Sequence, residues 1–170
     1  MVIHVCGLAA LSTLTVELRP THIVSLLGDD PFPGTPDCVV ADGHLKLHMH
    51  DISEPRDGFI APQREHLEQL LDFSHRWQQA GPLVIHCYAG VSRSTAAALA
   101  VLCSYNEGRE SDAARLLRER APHAYPNRRM IAIADDLLGC GGRLQEAVEA
   151  MPAPDFLAPL ACIELPGRLD

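Results

Sequence analysis

The sequence predicts an α/β fold: a central, mostly parallel sheet flanked by helices, with a tight loop between a buried strand and a helix. Three observations predict it. Leu83-Val84-Ile85 is a short apolar run bounded by Gly81-Pro82 and Gly90, the signal of a strand buried on both faces. An Ala-rich stretch starts at Arg93 and continues without a breaker to Gly108, the signal of a helix. Upstream, the chain reads strand, helix, strand, an order that favours parallel pairing.

Taken in order, Val2 to Leu8 reads as a strand, and Ser12 as the cap of a short helix ending near Arg19-Pro20. Thr21 to Leu27 is β-branched and apolar, a second strand. Gly28 to Asp42, with three Pro and two Gly, is a long loop. His44 to His50 alternates, placing His44, Lys46, His48 and His50 on one face and Leu45, Leu47 and Met49 on the other. A helix spans Pro62 to Ala80, stopped by Gly81. Its stripe of Leu67, Leu70, Leu71, Ser74 and Trp77 makes Trp77 a core residue. After the Arg93 to Glu107 helix, Ser111 caps a helix through Arg120, Asn127 caps another over 128–138, and a last short helix ends at Met151. Residues 1–151 form one domain. Residues 152–170, with four Pro, read as a C-terminal tail. Leu160 to Leu165 there suits an edge strand, a flexible arm or an oligomer contact equally well.

Composition bounds the function. The chain has 170 residues, 47% hydrophobic and 21% charged, as expected of an ordinary globular domain. A net charge of −8 argues against broad nucleic-acid or anionic-membrane binding. No run of 18 or more apolar residues and no signal-peptide pattern occurs. The six cysteines (6, 38, 87, 103, 140 and 162) show no CxxC or metal-ligand spacing and read as reduced thiols in a cytoplasmic protein. Oligomeric state is left open.

The chemistry concentrates in His86 to Ser94, HCYAGVSRS. A sharp strand-to-helix turn points several amides at one spot and adds the positive end of a helix dipole, which together make an anion site. A cysteine there, beside an arginine, is favoured as the thiolate, a nucleophile. Arg93 offers a planar fork suited to two phosphate oxygens, and Gly90 allows close backbone approach. Spacing alone carries little: Cys103 and Arg109 repeat the Cys-x5-Arg interval, but in a helix and after no strand. Context distinguishes Cys87, whose alternative is a buried structural cysteine.

HCYAGVSRS resembles the His-Cys-x5-Arg-Ser/Thr signature of the cysteine-based protein tyrosine phosphatases, and its Ala-Gly-x-Ser-Arg-Ser form is most similar to the dual-specificity branch. The resemblance implies that Cys87 attacks phosphorus and that Arg93 holds the phosphoryl oxygens with the loop Tyr88, Ala89, Gly90, Val91 and Ser92. It further implies that Ser94 eases expulsion of the thiolate and that His86 fixes the loop. Ester cleavage also needs a proton donor from another loop at the same sheet edge. Asp51 begins DISEPRDGF, which fits the family's Asp-x-x-x-Pro; Asp57 is the second candidate, and a turn former is the plain reading of either.

The expected reaction is hydrolysis of a phosphate monoester on phosphoproteins, through a phosphocysteine and with no cofactor or metal. The uncharged loop interior favours phosphotyrosine, with phosphoserine and phosphothreonine possible, over a phosphoinositide, nucleotide or RNA end. Arg128 and Arg129, a solvated helix start on the plain reading, keep the polyanionic alternative open. Two other classes remain: a non-catalytic phosphate-binding module, and a metal hydrolase built on His48 and His50.

Overall fold

A computed structural model describes residues 2–169. The strands are β1 (Val2–Gly7), β2 (His22–Leu27), β3 (His44–His48), β4 (Leu83–Cys87) and β5 (Ile163–Pro166). The helices are α1 (Leu8–Leu18), α2 (Arg64–Trp77), α3 (Arg93–Ser104), α4 (Glu110–Arg120), α5 (Arg128–Leu137) and α6 (Arg143–Glu149). They form one sheet in the order β3-β2-β4-β1-β5. The first four strands are parallel, and β5 alone runs antiparallel, against β1.

Parallel strands need covering on both faces, which explains the unbroken apolar reading of β4, buried at all five positions. Helix α1 covers one face alone, its Leu11 packing on Cys6, Ile23 and Val84. The other five helices build the main core on the opposite face. There α3 is buried from Arg93 through Cys103, so its alanines let it lie close to the sheet. The α2 stripe is buried as expected, and Trp77 donates its indole N–H to the Gly81 carbonyl at 2.9 Å.

Several boundaries differ from the sequence expectation. Helix α1 begins at Leu8, directly after β1, with extended Gly7 as its N-cap; Ser12 lies inside it. Ser111 likewise sits within the first turn of α4. Asn127 does cap α5, its side-chain oxygen accepting from the Met130 N–H at 3.1 Å. The stretch set apart as a Pro-rich tail ends in β5, an edge strand of the sheet.

The parallel strands all point their C-terminal ends to one edge. The loops after β2, β3 and β4 converge there, where open α/β sheets place ligands.

Candidate active site

A cleft of about 730 Å³ opens at that edge, lined by Gly28–Asp30 after β2, His50, Asp51 and Ser53 after β3, the Cys87–Arg93 loop, and Tyr125–Arg128 before α5. The sequence-predicted residues are thus brought together by three separate loops and one helix entry.

The 88–92 loop is built to present N–H groups. The carbonyls of Tyr88, Val91 and Ser92 bond to other parts of the protein. The Leu8 N–H donates to Tyr88 O at 3.0 Å, the Tyr125 N–H to Val91 O at 2.9 Å, and the Ala96 and Asn127 N–H groups to Ser92 O. The Thr95 hydroxyl adds bonds to Val91 O and Ser92 O. The amides of Tyr88, Ala89, Val91 and Ser92 have no acceptor among the described residues. Concave, donor-lined backbone of this kind is an anion cradle.

Cys87 sits at the floor, 2% exposed. Its sulfur accepts from the Gly90 N–H at 3.2 Å and lies 3.1 Å from the Ser94 hydroxyl, so both neighbours are donors to a thiolate. Gly90 is required by the geometry. It has φ +79°, and a Cβ there would lie 2.7 Å from Gly7 N and 2.8 Å from the Cys6 carbonyl carbon. Gly90→Ala therefore pushes the 88–92 loop off β1. It should lower aryl phosphate turnover by on the order of 10²-fold, the loss that an ångström-scale misplacement brings, with any fall in stability read from the denaturant midpoint.

Arg93 is held in place at 6% exposure, one terminal nitrogen donating to Met49 O at 2.8 Å. Its Nε is buried with no partner among the described residues. A buried donor left unpaired calls for an explanation, and an oxyanion in the cradle supplies one.

Asp51 lines the cleft, and its Oδ1 accepts from the Ser92 hydroxyl at 2.7 Å and the Asn127 amide at 2.9 Å. Asp57 is exposed and does not line the cleft. Of the two arginines weighed at the start of α5, Arg128 lines the cleft, whereas Arg129 donates to the Pro62 carbonyl at 2.6 Å.

Sequence reasoning missed a polar chain behind His86. Ser25 on β2 lies 2.6 Å from His86 Nε2 and 2.8 Å from His44 Nε2, and His44 Nδ1 lies 2.8 Å from the Thr35 hydroxyl. His86 Nδ1 faces the Cys87 carbonyl at 3.3 Å. One proton assignment satisfies every link. The carbonyl only accepts, so Nδ1–H of His86 donates to it. Neutral His86 then accepts from Ser25 through Nε2, Ser25 accepts from His44 Nε2–H, and His44 accepts from Thr35. Burial pushes both imidazoles down to about 4 and keeps them neutral. The only sequence signal was a serine inside an otherwise apolar strand.

This chain has a pH signature. Well above pH 6.5 both histidines are neutral whether folded or unfolded. As pH falls from 6.5 to about 4 the unfolded chain takes protons that the folded His86 refuses, so stability drops over that window. The loss from His86 is on the order of 3 kcal/mol. Urea midpoints across this range should fall with acid, and His86→Gln should flatten the dependence.

His48 and His50 meet Asp29, their donor atoms within 4.8 Å of one another. The hydrogen bonds oppose a metal-ligand role for His50. The Ile60 N–H donates to its Nδ1 at 2.9 Å, so Nε2 carries the proton and donates to Asp29 at 3.1 Å. Loading a metal on Nε2 would move that proton onto Nδ1, against the Ile60 N–H.

Comparison with known proteins agrees with this architecture. DUSP15 superposes with a TM-score of 0.64 at 19% identity, covering 88% of this chain and 92% of that one. The Yvh1 phosphatase domain from Chaetomium thermophilum gives 0.64 at 22% identity, covering 84% and 93%. The chain has the fold of the cysteine-based phosphatases of dual-specificity type. In sequence it is similar to the MAP kinase phosphatase with leucine-rich repeats protein 3 of Dictyostelium discoideum, at 30% identity over 112 residues, 63% of this chain and 11% of that much longer protein. No model of a known protein family matches the chain. No helix among the described residues is long and apolar enough to cross a membrane.

Proposed function

We propose that the protein hydrolyses phosphate monoesters on phosphoproteins, phosphotyrosine first, through a phosphocysteine. The observation that carries this is the cradle itself: a sulfur under two donors, inward amides, and a buried Arg93 Nε with no partner. In the first step Cys87 Sγ attacks phosphorus, the P–O ester bond breaks, and protonated Asp51 gives its proton to the leaving oxygen. Both bonds to Asp51 fall on Oδ1, which leaves Oδ2 to carry that proton. In the second step water attacks phosphorus, Asp51 takes its proton, and the S–P bond breaks as Ser94 donates to the released thiolate. Arg93 and the amides supply the positive field throughout.

The mouth of the cleft supports a singly phosphorylated aromatic group. Tyr88 and Tyr125 are exposed at 61% and 47% and line it. Asp29 and Asp30 line it too and would repel additional phosphates on an inositol or an RNA end. A net charge of −8 also disfavours a polyanionic substrate.

The test is turnover of para-nitrophenyl phosphate with and without chelator, then a panel of phosphopeptides and inositol phosphates. Chelator-insensitive hydrolysis with phosphotyrosine peptides preferred is expected. Activity lost to chelator and restored by zinc would move the chemistry to His48 and His50, and preference for an inositol polyphosphate would overturn the protein substrate.

A further inference from the structure

We propose that Cys6 and Cys162 form a reversible disulfide that staples β5 to β1, a modification site distinct from Cys87. The register carries it. Strands β1 and β5 pair antiparallel, with His4 against Glu164 and Val5 against Ile163. Continued one residue beyond the first residue of β5, the same register sets Cys6 against Cys162. Directly opposed residues in an antiparallel pair share a face, with Cα atoms about 4.5–5.5 Å apart, inside the Cα range of bonded cysteines.

The neighbouring pair shows which face. His4 Nδ1 lies 3.6 Å from the Glu164 carboxylate, and side chains two residues apart on a strand point the same way. Cys6 is buried under α1 with Leu11, Ile23 and Val84, and Cys162 is exposed at the sheet edge beside Glu164 and Glu17. The two thiols are near enough that Cys162 contributes to raising Cys6, which burial mainly pushes up to about 12. Cys103 and Cys140 also lie near each other, but both are buried, away from a dissolved oxidant.

The chemistry balances with a hydroperoxide as oxidant. The exposed Cys162 thiol reacts with hydrogen peroxide to give a sulfenic acid and one water. The Cys6 sulfur then attacks the sulfenic sulfur. The S–S bond forms, the S–O bond breaks, and the Cys6 proton leaves with the hydroxyl as a second water. Two electrons pass from the thiols to the peroxide, and a dithiol reverses the reaction. The buried, hard-to-ionise Cys6 makes the second step the slower one.

The staple has a consequence at the cleft. The segment that leads into β5 borders both of its aromatic walls. Phe156 packs edge-on against Tyr125 at 6.1 Å between centroids, and the Asp155 N–H donates to Pro122 O at 2.9 Å. Leu160 shares a hollow with Leu8, Tyr88 and Ala89. Anchoring Cys162 to β1 fixes the downstream end of that segment.

The inference stands without the phosphatase reading, and so does its test. Full-length Cys87→Ser protein, freed of the competing thiol, is treated with dilute hydrogen peroxide, digested without reduction and analysed by mass spectrometry. A Cys6–Cys162 linked peptide that disappears with dithiothreitol is expected. Proteolysis within residues 152–161 should slow on oxidation, and Cys162→Ser, at an exposed position that spares the core, should abolish both effects. Cys162 recovered as sulfinic acid, linked to another cysteine, or still a free thiol alongside free Cys6 would overturn the proposal.

Discussion

Cys87→Ser should reduce turnover by on the order of 10⁴-fold or more, in the range that removal of a nucleophile has elsewhere. The physical reason is acidity: a serine hydroxyl in the same place stays protonated, while the Gly90 N–H and Ser94 hydroxyl are placed to donate to an anion. The fold should survive, because the sulfur is replaced by a smaller atom at the mouth of the sheet. Phosphate binding should survive too, since Arg93 and the amides are untouched. Cys103→Ser is the control. It has the same spacing to an arginine, but its thiol lies in the α3 packing, 4% exposed and pushed up to about 12 by burial. It should leave turnover near normal. Equal losses in both variants with intact folds would remove the assignment of Cys87.

Asp51→Asn should slow hydrolysis of a substrate with a poor leaving group, such as phosphotyrosine, by roughly 10²- to 10⁴-fold. The amide cannot deliver a proton to the departing oxygen. A nitrophenyl phosphate, whose leaving group is far more acidic, should suffer less in the first step. Asparagine still offers an oxygen to Ser92 and Asn127, so loop geometry is retained. Asp57→Asn is the matched control on the exposed side of the same loop. Leaving-group dependence at Asp57 instead of Asp51 would reassign the acid. A third variant, Ser25→Ala, should leave His86 Nε2 without its donor, costing about 1–3 kcal/mol. It should also lower turnover with little change in KM, since it acts through the loop rather than on substrate.

The unit from Leu83 to Ser104 was legible because its information is local. A short apolar run, a glycine at a left-handed turn and an alanine-rich stretch specify strand, loop and helix within about twenty residues. Asp51 was picked out by its place after the alternating 44–50 stretch together with the family's Asp-x-x-x-Pro, and it lines the cleft. The start of α1 was misread because Ser12 satisfies the capping preference. What begins the helix is Gly7, whose backbone also lies against Gly90 at the end of the neighbouring strand.

By itself, then, the sequence determined the α/β class, the order of its elements, and a cysteine and an arginine held in one strand-to-helix turn. Tertiary structure decided what faces them. Ser25 lies 61 residues from His86, Asn127 lies 76 from Asp51, and the Met49 carbonyl that anchors Arg93 is 44 away. It decided, too, that β5 joins the sheet as an antiparallel edge strand beside β1, with Val5 against Ile163. Local periodicity fixes which face a residue occupies, but not which strand comes to lie beside it. That choice is made by burial of whole faces and by register, and both exist only once the chain has packed.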